Sequence, residues 1–363
     1  MHLRLEKRLE PSLRLAWLVR IGSLLLALVA GALLLLAIGA DPVATYRAML
    51  TGSLGSSYAL GETLVKAIPL MLTGLAVAVA FQMRFWNIGA EGQLAMGVFA
   101  ASGVALFGPV AAPWLPQFLW LPLVIGAGFA AGALWGLVPA ALKAYLGVNE
   151  IITTLMFNYI AIRWLEYLFF GPWRDPDGFG FPQSALFPEF TWLPRLTGRV
   201  HLGIVFAIVA ALVLWFLFTR TRWGYELRLL GENPIAARYT GISVVRTTLI
   251  AMAISGGLAG LAGAAEVTGI SHRLQQGLTL GYGFTAIIVA WLARLNPWGV
   301  LLVAFALAAL LVGGDQIQMA MGLPASLGLV LQGIIFFFVL GGDIFTRYRV
   351  RLTRDGEPVR AEA

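Results

Sequence analysis

The residues that could do chemistry in this sequence form three short polar clusters inside long apolar stretches. The clusters read "NIGAEGQ" from position 87, "NEIITTLMFNYIA" from position 149 and "GGDQIQM" from position 313. Their amide, hydroxyl and carboxylate groups are suited to hydrogen-bonding a polar solute rather than to covalent chemistry. The candidate solute-contacting residues are Asn87, Glu91, Gln93, Glu150, Thr154, Asn158, Asp315 and Gln316.

Familiar catalytic patterns do not occur in the chain. None of its three lysines, Lys7, Lys66 and Lys143, lies in the G-x-x-x-x-G-K pattern of a phosphate-binding loop, so the chain does not hydrolyse ATP by that route. The sequence has no cysteine and no H-E-x-x-H or G-x-S-x-G pattern. We therefore predict no metal, no cofactor and no enzymatic activity in this chain.

The composition indicates an all-α, polytopic bundle of membrane helices. Of 363 residues, 59% are hydrophobic and only 12% are charged, about half the charged fraction of a soluble domain. Apolar runs long enough to cross a bilayer recur along the chain. We predict ten spans, at 17–39, 64–82, 87–107, 119–142, 151–170, 202–219, 247–269, 281–295, 298–314 and 324–342. The segment 281–295 is short, which suggests a re-entrant or broken helix.

The positive charges predict the orientation of these spans. Lys and Arg concentrate in 4–20, 220–246 and 347–360, and even numbers of spans separate the three clusters. All three therefore fall on the cytoplasmic side. This predicts cytoplasmic tails at 1–16 and 347–363, a transmembrane domain at 17–346, contact with membrane lipid and no binding of nucleic acid despite the net charge of +7.

Two interpretations of the membrane polar residues stay open. Glu150, Thr154 and Asn158 are four residues apart, so they share one helix face that should point into the bundle. They either line a solute pathway or bind neighbouring helices. Asn87 is a good N-cap for the third span, and Glu91 suits the positive end of that helix, so capping explains part of the first cluster.

Two other patterns in the spans have simpler interpretations. Arg163 and Glu166 are three residues apart and are interpreted mainly as a self-neutralising pair near the outer edge of the fifth span. Gly256 and Gly260, four apart in "SGGLAGLAGAAEVTG", form a ridge of small residues that allows another helix to approach closely.

The longest polar stretch outside the membrane, 171–200, is rich in proline, glycine and aromatic residues. It is either an interfacial loop with an aromatic belt or a docking surface for an extracytoplasmic partner. The docking residues that we predict are Trp173, Arg174, Asp175, Phe179 and Phe181.

The cytoplasmic segment 220–246 contains a short predicted helix. Asn233 is a suitable N-cap, Pro234 a suitable first residue, and Gly241 a suitable terminator. The resulting helix of about seven residues, near 10 Å long, is too short to be stable alone in water. It is therefore expected to rest on the membrane surface or on a partner protein.

Together these motifs resemble the permease subunits of bacterial ABC importers in the branched-chain amino acid, simple-sugar and nucleoside group. The similarity is greatest to nucleoside permeases that work with BMP-family lipoproteins. It is carried in order, from about residue 60 to 343, by "NIGAEGQ", "NEIITTLMFNYIA", "GPWRDPDGFGFPQSA", "LPRL", "GYELRLLGENPIAARYTGI", "GLAGLAG", "GFTAIIVAWLARLNPWG" and "LQGIIFFFVLGGD". The region before residue 60 resembles the longer of the two paralogous permeases in such systems.

The resemblance implies partners in a larger machine at the cytoplasmic membrane. A solute-binding protein or lipoprotein would dock outside, a paralogous permease would complete the pathway, and an ATPase subunit would bind ATP and Mg inside. The family's coupling segment maps onto Gly231, Glu232, Asn233, Pro234, Ala236, Ala237, Arg238 and Gly241.

Other functions stay open at this point. The same machinery could import a simple sugar or a branched-chain amino acid instead of a nucleoside. A more distant alternative is an ion-coupled secondary transporter, in which the membrane carboxylates would carry protons or sodium. That alternative gives no role to a short cytoplasmic helix.

Overall fold

The structure is a computed structural model that describes residues 2–7, 13–278 and 281–353. Within these residues the chain forms thirteen α-helices. In chain order they are α1 (Leu13–Ala37), α2 (Pro42–Leu54), α3 (Ser57–Gln82), α4 (Ala90–Ala111), α5 (Gln117–Leu146), α6 (Glu150–Phe170), α7 (Gly203–Arg220), α8 (Arg222–Glu232), α9 (Pro234–Tyr239), α10 (Val244–Glu266), α11 (Tyr282–Leu292), α12 (Pro297–Met321) and α13 (Ser326–Arg347).

Little other regular structure is present in the described residues. Strand β1 (His2–Lys7) pairs antiparallel with β4 (Tyr348–Thr353), and β2 (Arg195–Thr197) pairs antiparallel with β3 (Val200–His201). A π-helical turn, Val267–Ser271, continues α10. The predicted all-α fold is confirmed. The predicted tails 1–16 and 347–363 lie partly outside the described residues.

Six helices in the described residues are long and apolar enough to cross a membrane: α3, α4, α5, α7, α10 with its π turn, and α12. The pair formed by α1 and α2 would add a seventh. Each of the ten predicted spans coincides with a helix, but α6, α11 and α13 do not meet this criterion. At 11 residues, about 16 Å, α11 is too short to span. A multi-pass bundle is confirmed, and the count of ten stays a prediction.

Helix α2 was not predicted from the sequence. After α1 the chain turns at Gly39, whose φ is +79°, and resumes as α2 at an angle of 115° to α1. The Asp41 carboxylate accepts hydrogen bonds from the backbone N–H groups of Val43 (2.8 Å) and Ala44 (3.3 Å). An acidic residue followed by Pro42 is a helix start that could have been recognised from the sequence.

The described chain divides into two compact units, one formed by 1–52 with 313–363 and the other by 53–312. In the second unit α3 is the most buried helix, with 89% of its apolar window inside the protein. Helices α4, α5 and α10 pack on one another. This second unit contains most of the predicted functional residues.

Glycines bring the backbones of α4, α5 and α10 into direct contact, as the predicted ridge requires. A Cβ atom at Gly132 would lie 2.3 Å from the Gly256 carbonyl oxygen, and one at Gly97 would lie 2.1 Å from the Gly260 carbonyl oxygen. No side chain fits at these positions. The close approach predicted for Gly256 and Gly260 is confirmed, and their partners are on α4 and α5.

We expect Gly132→Ala to destabilise the protein, because its methyl group must push α5 away from α10. Overpacking of this kind costs about 1–3 kcal/mol. Thermal unfolding of the detergent-purified protein measures the effect. The matched control is Gly126→Ala, also inside α5, where a Cβ meets nothing within 4 Å. Equal melting temperatures for the two variants would contradict the proposed helix contact.

Candidate functional site

A buried polar junction surrounds the start of α4 and joins it to α3, α6, α10 and α11. None of its six side chains is more than 1% exposed. They belong to Asn87, Glu91, Gln93, Thr154, Asn158 and Ser255. Five of these are predicted solute-contacting residues, and the structure brings them together.

The Asn87 and Gln93 amides form a reciprocal pair. Asn87 Nδ2 donates to Gln93 Oε1 (3.1 Å), and Gln93 Nε2 donates to Asn87 Oδ1 (3.2 Å). Asn87 Nδ2 also donates to Ser255 Oγ on α10 (3.1 Å). The Ser255 hydroxyl in turn donates to the Ala76 carbonyl oxygen on α3 (2.7 Å). One amide pair thus links α4 to two other helices.

The prediction that Asn87 is the N-cap of the third span is wrong. Helix α4 begins at Ala90, its N-cap is Gly89, and Gly89 provides no side-chain capping bond. Asn87 Oδ1 instead accepts from the Gly89 N–H (2.9 Å), which closes a tight turn two residues before the helix. The turn competes with helical geometry, and the helix starts two residues later than it would with Asn87 as its N-cap.

Two side chains of α6 bind the backbone of this turn. Asn158 Oδ1 accepts from the Gly92 N–H (2.7 Å), and Asn158 Nδ2 donates to the Ile88 carbonyl oxygen (2.8 Å). Thr154 Oγ1 accepts from the Ile88 N–H (3.2 Å). The predicted inward-facing stripe is confirmed for Thr154 and Asn158, which bind backbone groups of this turn and the N–H of Gly92 in the first turn of α4.

The Glu91 carboxylate binds the start of α11. Oε1 accepts from the Gly281 N–H (3.0 Å), and Oε2 accepts from the Gly283 N–H (2.6 Å). Bonds from N–H groups at a helix N-terminus stabilise a negative charge and offset its cost of burial. Gly283 is required there, because a Cβ atom would lie 2.2 Å from the Glu91 backbone nitrogen.

These contacts are typical of a structural junction between helices. Asn87, Glu91 and Asn158 all direct their polar atoms to other protein groups, and each bond crosses between chain segments or closes a turn. This arrangement favours the packing interpretation of the buried polar residues. A direct contact between these residues and a solute stays a prediction.

The other predicted pathway residues lie elsewhere. Glu150 forms an ion pair with Lys143, with Oε2 2.8 Å from Nζ, where α5 ends and α6 begins. Asp315 and Gln316 lie on α12 within the unit that contains 313–363, and both are half-buried. The predicted pairing of Arg163 with Glu166 is confirmed.

The predicted docking residues differ in exposure. Phe179 is 97% exposed, and Phe181 and Arg174 are also exposed. Asp175 is half-buried and accepts a hydrogen bond from the Asp177 N–H (3.1 Å). Trp173 is stacked on Phe99 of α4 with ring centroids 5.4 Å apart. Trp173 therefore anchors the loop, while the two phenylalanines offer apolar surface to the exterior.

The loop 171–200 is fastened to the segment that follows α10. The Ser184, Phe187 and Leu193 N–H groups donate to the carbonyl oxygens of Leu274 (2.8 Å), His272 (2.8 Å) and Thr268 (3.0 Å), respectively. These bonds give the loop a defined conformation without long secondary structure.

Two histidines lie beneath the loop. The His272 ring stacks on Trp192 with centroids 4.0 Å apart. His201 is completely buried, and its Nδ1 accepts from the Gly203 N–H (3.2 Å). Burial, with smaller contributions from His272 and Arg195, lowers the pKa of His201 to about 4. No sequence pattern indicated that the two histidines, His201 and His272, influence each other.

The predicted coupling segment forms the short helix α9, as expected. Asn233 Oδ1 accepts from the Ile235 and Ala236 N–H groups, both at 3.0 Å. Gly241 follows the helix with φ +80°. Ile235 and Tyr239 are exposed, Tyr239 by 89%. The helix therefore presents two large apolar side chains at the protein surface.

Helix α8 precedes α9 and was missed from the sequence. It buries Gly224, Leu227 and Leu230 on one face, a spacing of three residues that could have indicated an amphipathic helix. Gly231 lies against the end of α3, where a Cβ atom would be 2.6 Å from the Gln82 carbonyl oxygen. The coupling segment is thus attached directly to the buried core.

A known protein family matches most of this chain. Residues 59–340 match the family described as branched-chain amino acid transport system / permease component. The chain belongs to this family. The match includes the polar junction, the loop 171–200 and the coupling segment, so the resemblance noted from the motifs is confirmed.

Characterised relatives of this permease cover nearly its full length. It is 37% identical to a glucose ABC transporter permease protein of Haloferax volcanii over 97% of this chain and 94% of the relative. It is 38% identical to a guanosine ABC transporter permease protein of Bacillus subtilis over 89% and 92% of the two chains. It is 32% identical to a nucleoside ABC transporter permease protein of Lactococcus lactis over 85% and 86%.

The protein is therefore a permease subunit of an ABC transporter and a multi-pass protein of the inner membrane. Membership of this family implies an ATPase subunit and a solute-binding protein as partners.

We expect Glu91→Gln to lower thermal stability, because an amide NH2 group would face one of the two N–H donors from the start of α11. Leaving a buried donor without an acceptor costs about 1–3 kcal/mol. Glu189→Gln, at an exposed residue in the loop, is the matched control. Unfolding of both purified variants provides the comparison, and identical midpoints would argue against the Glu91 bonds.

We expect acid to destabilise the protein through His201. The pKa of about 4 in the folded state is below the ordinary value of about 6.5. The unfolded chain therefore binds more protons between these pH values, and stability falls as pH is lowered through that window by up to about 3 kcal/mol. His201→Asn retains an acceptor for Gly203 but cannot take up the proton. Its melting temperature should fall less than that of the unsubstituted protein between pH 7 and pH 4, and parallel curves would contradict the assignment.

Proposed function

We propose that this permease forms one half of the membrane pathway of an importer for nucleosides. The observation that supports this cargo is the similarity to guanosine and nucleoside permeases, at 38% and 32% identity over most of the chain. The glucose permease, at 37% identity over 97% of the chain, makes a simple sugar the second candidate.

In this proposal the second half of the pathway is a paralogous permease. The two subunits alternate between outward-open and inward-open states, and ATP binding in the ATPase subunit shifts that equilibrium. ATP and Mg bind the ATPase subunit, so this chain itself carries out no hydrolysis. The permease contributes contacts that bind the solute, and these contacts must be weak enough for the solute to be released.

The contact with the ATPase is assigned to the coupling segment, residues 231–241. Exposed Ile235 and Tyr239 supply apolar surface, and exposed Arg238 supplies a positive charge. A helix of six residues is not stable by itself, so its rigid capping and attachment to α8 support a role in transmitting force.

The contact with the solute-binding protein is assigned to the loop 171–200. Its exposed residues Arg174, Phe179 and Phe181 combine apolar surface with a charge, which is the composition typical of protein interfaces.

The cargo can be tested by uptake in the source organism. Deletion of the gene should abolish high-affinity uptake of radiolabelled guanosine, adenosine or uridine, and expression of the full chain should restore it. Glucose and ribose uptake are measured in the same strains. Loss of sugar uptake with unchanged nucleoside uptake would replace the proposed cargo with a sugar.

The two proposed contacts can be separated by charge reversal. We expect Arg238→Glu to prevent copurification of the ATPase but to leave capture of the solute-binding protein intact. Arg174→Glu should have the reverse effect, because the proposal assigns the two arginines to opposite sides of the membrane. Each variant is the control for the other. Loss of both partners in either variant would indicate misfolding, and retention of both in the two variants would contradict the assignments.

A further inference from the structure

Helix α6 has two faces of opposite character, and only one is occupied by the protein. Thr154, Asn158, Ala161 and Leu165 form the buried face. The opposite face carries two rows of side chains, with a spacing of four residues within each row. The protein leaves these side chains largely uncovered. The rows consist of Tyr159, Arg163 and Tyr167 beside Ile160 and Trp164.

This second face carries a charge pair and two hydroxyl groups that lipid hydrocarbon does not satisfy. Arg163 has a side chain that is 78% exposed and is paired with Glu166, and two tyrosine hydroxyls lie on the same side. Hydrocarbon cannot hydrogen-bond such groups, so charged residues on membrane helices face water-filled cavities or other protein. At 21 residues, about 31 Å, α6 is long enough to span, yet it is not among the six helices apolar enough to do so. That mismatch is expected for a helix lining an aqueous pathway.

The exposed face forms a shallow, open groove. Tyr159, Ile160, Arg163, Trp164 and Tyr167 line a groove of about 570 Å³, which we call the α6 groove. Sites for small ligands are typically about 300–1,000 Å³ in volume. The lining is almost entirely apolar and comes from aromatic rings, one aliphatic side chain and the side chain of Arg163.

The aromatic rings of the groove are held in place. Trp164 makes an edge contact with Phe99 of α4, with ring centroids 5.9 Å apart. The Tyr167 ring lies 5.9 Å from Trp164 at an angle of 32°. Ring surfaces fixed in advance lose little conformational freedom when a flat ligand stacks on them.

We propose that the α6 groove is the place where the base of a nucleoside contacts this permease during transport. This proposal rests on the nucleoside cargo proposed above. The base stacks on Trp164 or Tyr167, and the Arg163 guanidinium, which has five N–H donors, hydrogen-bonds ring nitrogen or carbonyl acceptors as it does with guanine. The pairing of Arg163 with Glu166 neutralises its charge, so the groove favours an uncharged nucleoside over a nucleotide.

The test uses the assembled importer in proteoliposomes with its solute-binding protein. The Tyr167→Leu variant removes the ring, Tyr167→Phe keeps it, and Phe216→Leu, at an exposed ring on α7, is the control. We expect Tyr167→Leu to lower guanosine uptake about fivefold or more at concentrations well below saturation, as for loss of one base-stacking ring. Tyr167→Phe and Phe216→Leu should retain uptake, and all three should retain ATPase activity stimulated by the binding protein.

Direct contact is tested by photolabelling the same complex with 8-azidoadenosine. Label should appear within 159–167 and be competed by adenosine but not by ribose. Label confined to other segments, or unchanged guanosine uptake in Tyr167→Leu, would overturn the proposal and leave lipid or the partner permease as the cover of the groove.

If the unsubstituted importer transports sugars but no nucleoside, the proposed cargo itself fails. If it transports nucleosides without using the groove, only the present inference fails.

Discussion

Inside a membrane, a buried polar group must find its partner within the protein, and this constraint shapes the whole second unit. The turn before α4 leaves backbone N–H and carbonyl groups outside a helix, where lipid could not satisfy them. Asn87, Thr154 and Asn158 supply the missing partners. Glu91 binds the N–H groups at the start of α11, a helix too short to cross the bilayer. The carboxylate therefore holds a broken segment in place.

The polar junction and the predicted coupling segment are far apart in sequence but lie close together in the fold. Gly231 lies against Gln82 at the end of α3, and Asn87 follows five residues later. If an ATPase displaced α9, the displacement would therefore reach the protein close to the start of α4. The same turn is bonded to α6, whose opposite face carries the α6 groove. A short route of packing contacts, backbone and hydrogen bonds thus connects the proposed site of ATP coupling to the proposed site of cargo contact.

Local patterns were enough to predict much of this arrangement. The inward stripe of α6, the Arg163–Glu166 pair, the cap of α9 by Asn233 and the close packing at Gly256 and Gly260 each depend on residues a few positions apart. The partner of Glu91 could not be predicted, because Gly281 and Gly283 are about 190 residues away in sequence. A helix cap and a tight turn use the same residue type, so the sequence around Asn87 does not distinguish the two. The amphipathic spacing of α8 and the Asp41–Pro42 start of α2 were present in the sequence and could have been recognised.

The central claim is that the buried polar residues around the start of α4 are bonded within the junction, whereas the exposed face of α6 lines an aqueous pathway. The chain has no natural cysteine, so single cysteines can be placed without background. The direct measurement is the rate at which a water-soluble, membrane-impermeant maleimide labels Ile160→Cys, Ala161→Cys and Leu212→Cys in the assembled importer. Ile160 is on the α6 groove, Ala161 is buried, and Leu212 is an exposed apolar residue of α7. We expect labelling of Ile160→Cys to be much faster than that of the other two, because a thiol reacts as its thiolate and ionises in water rather than in lipid. Labelling of Ile160→Cys as slow as that of Leu212→Cys would contradict the account.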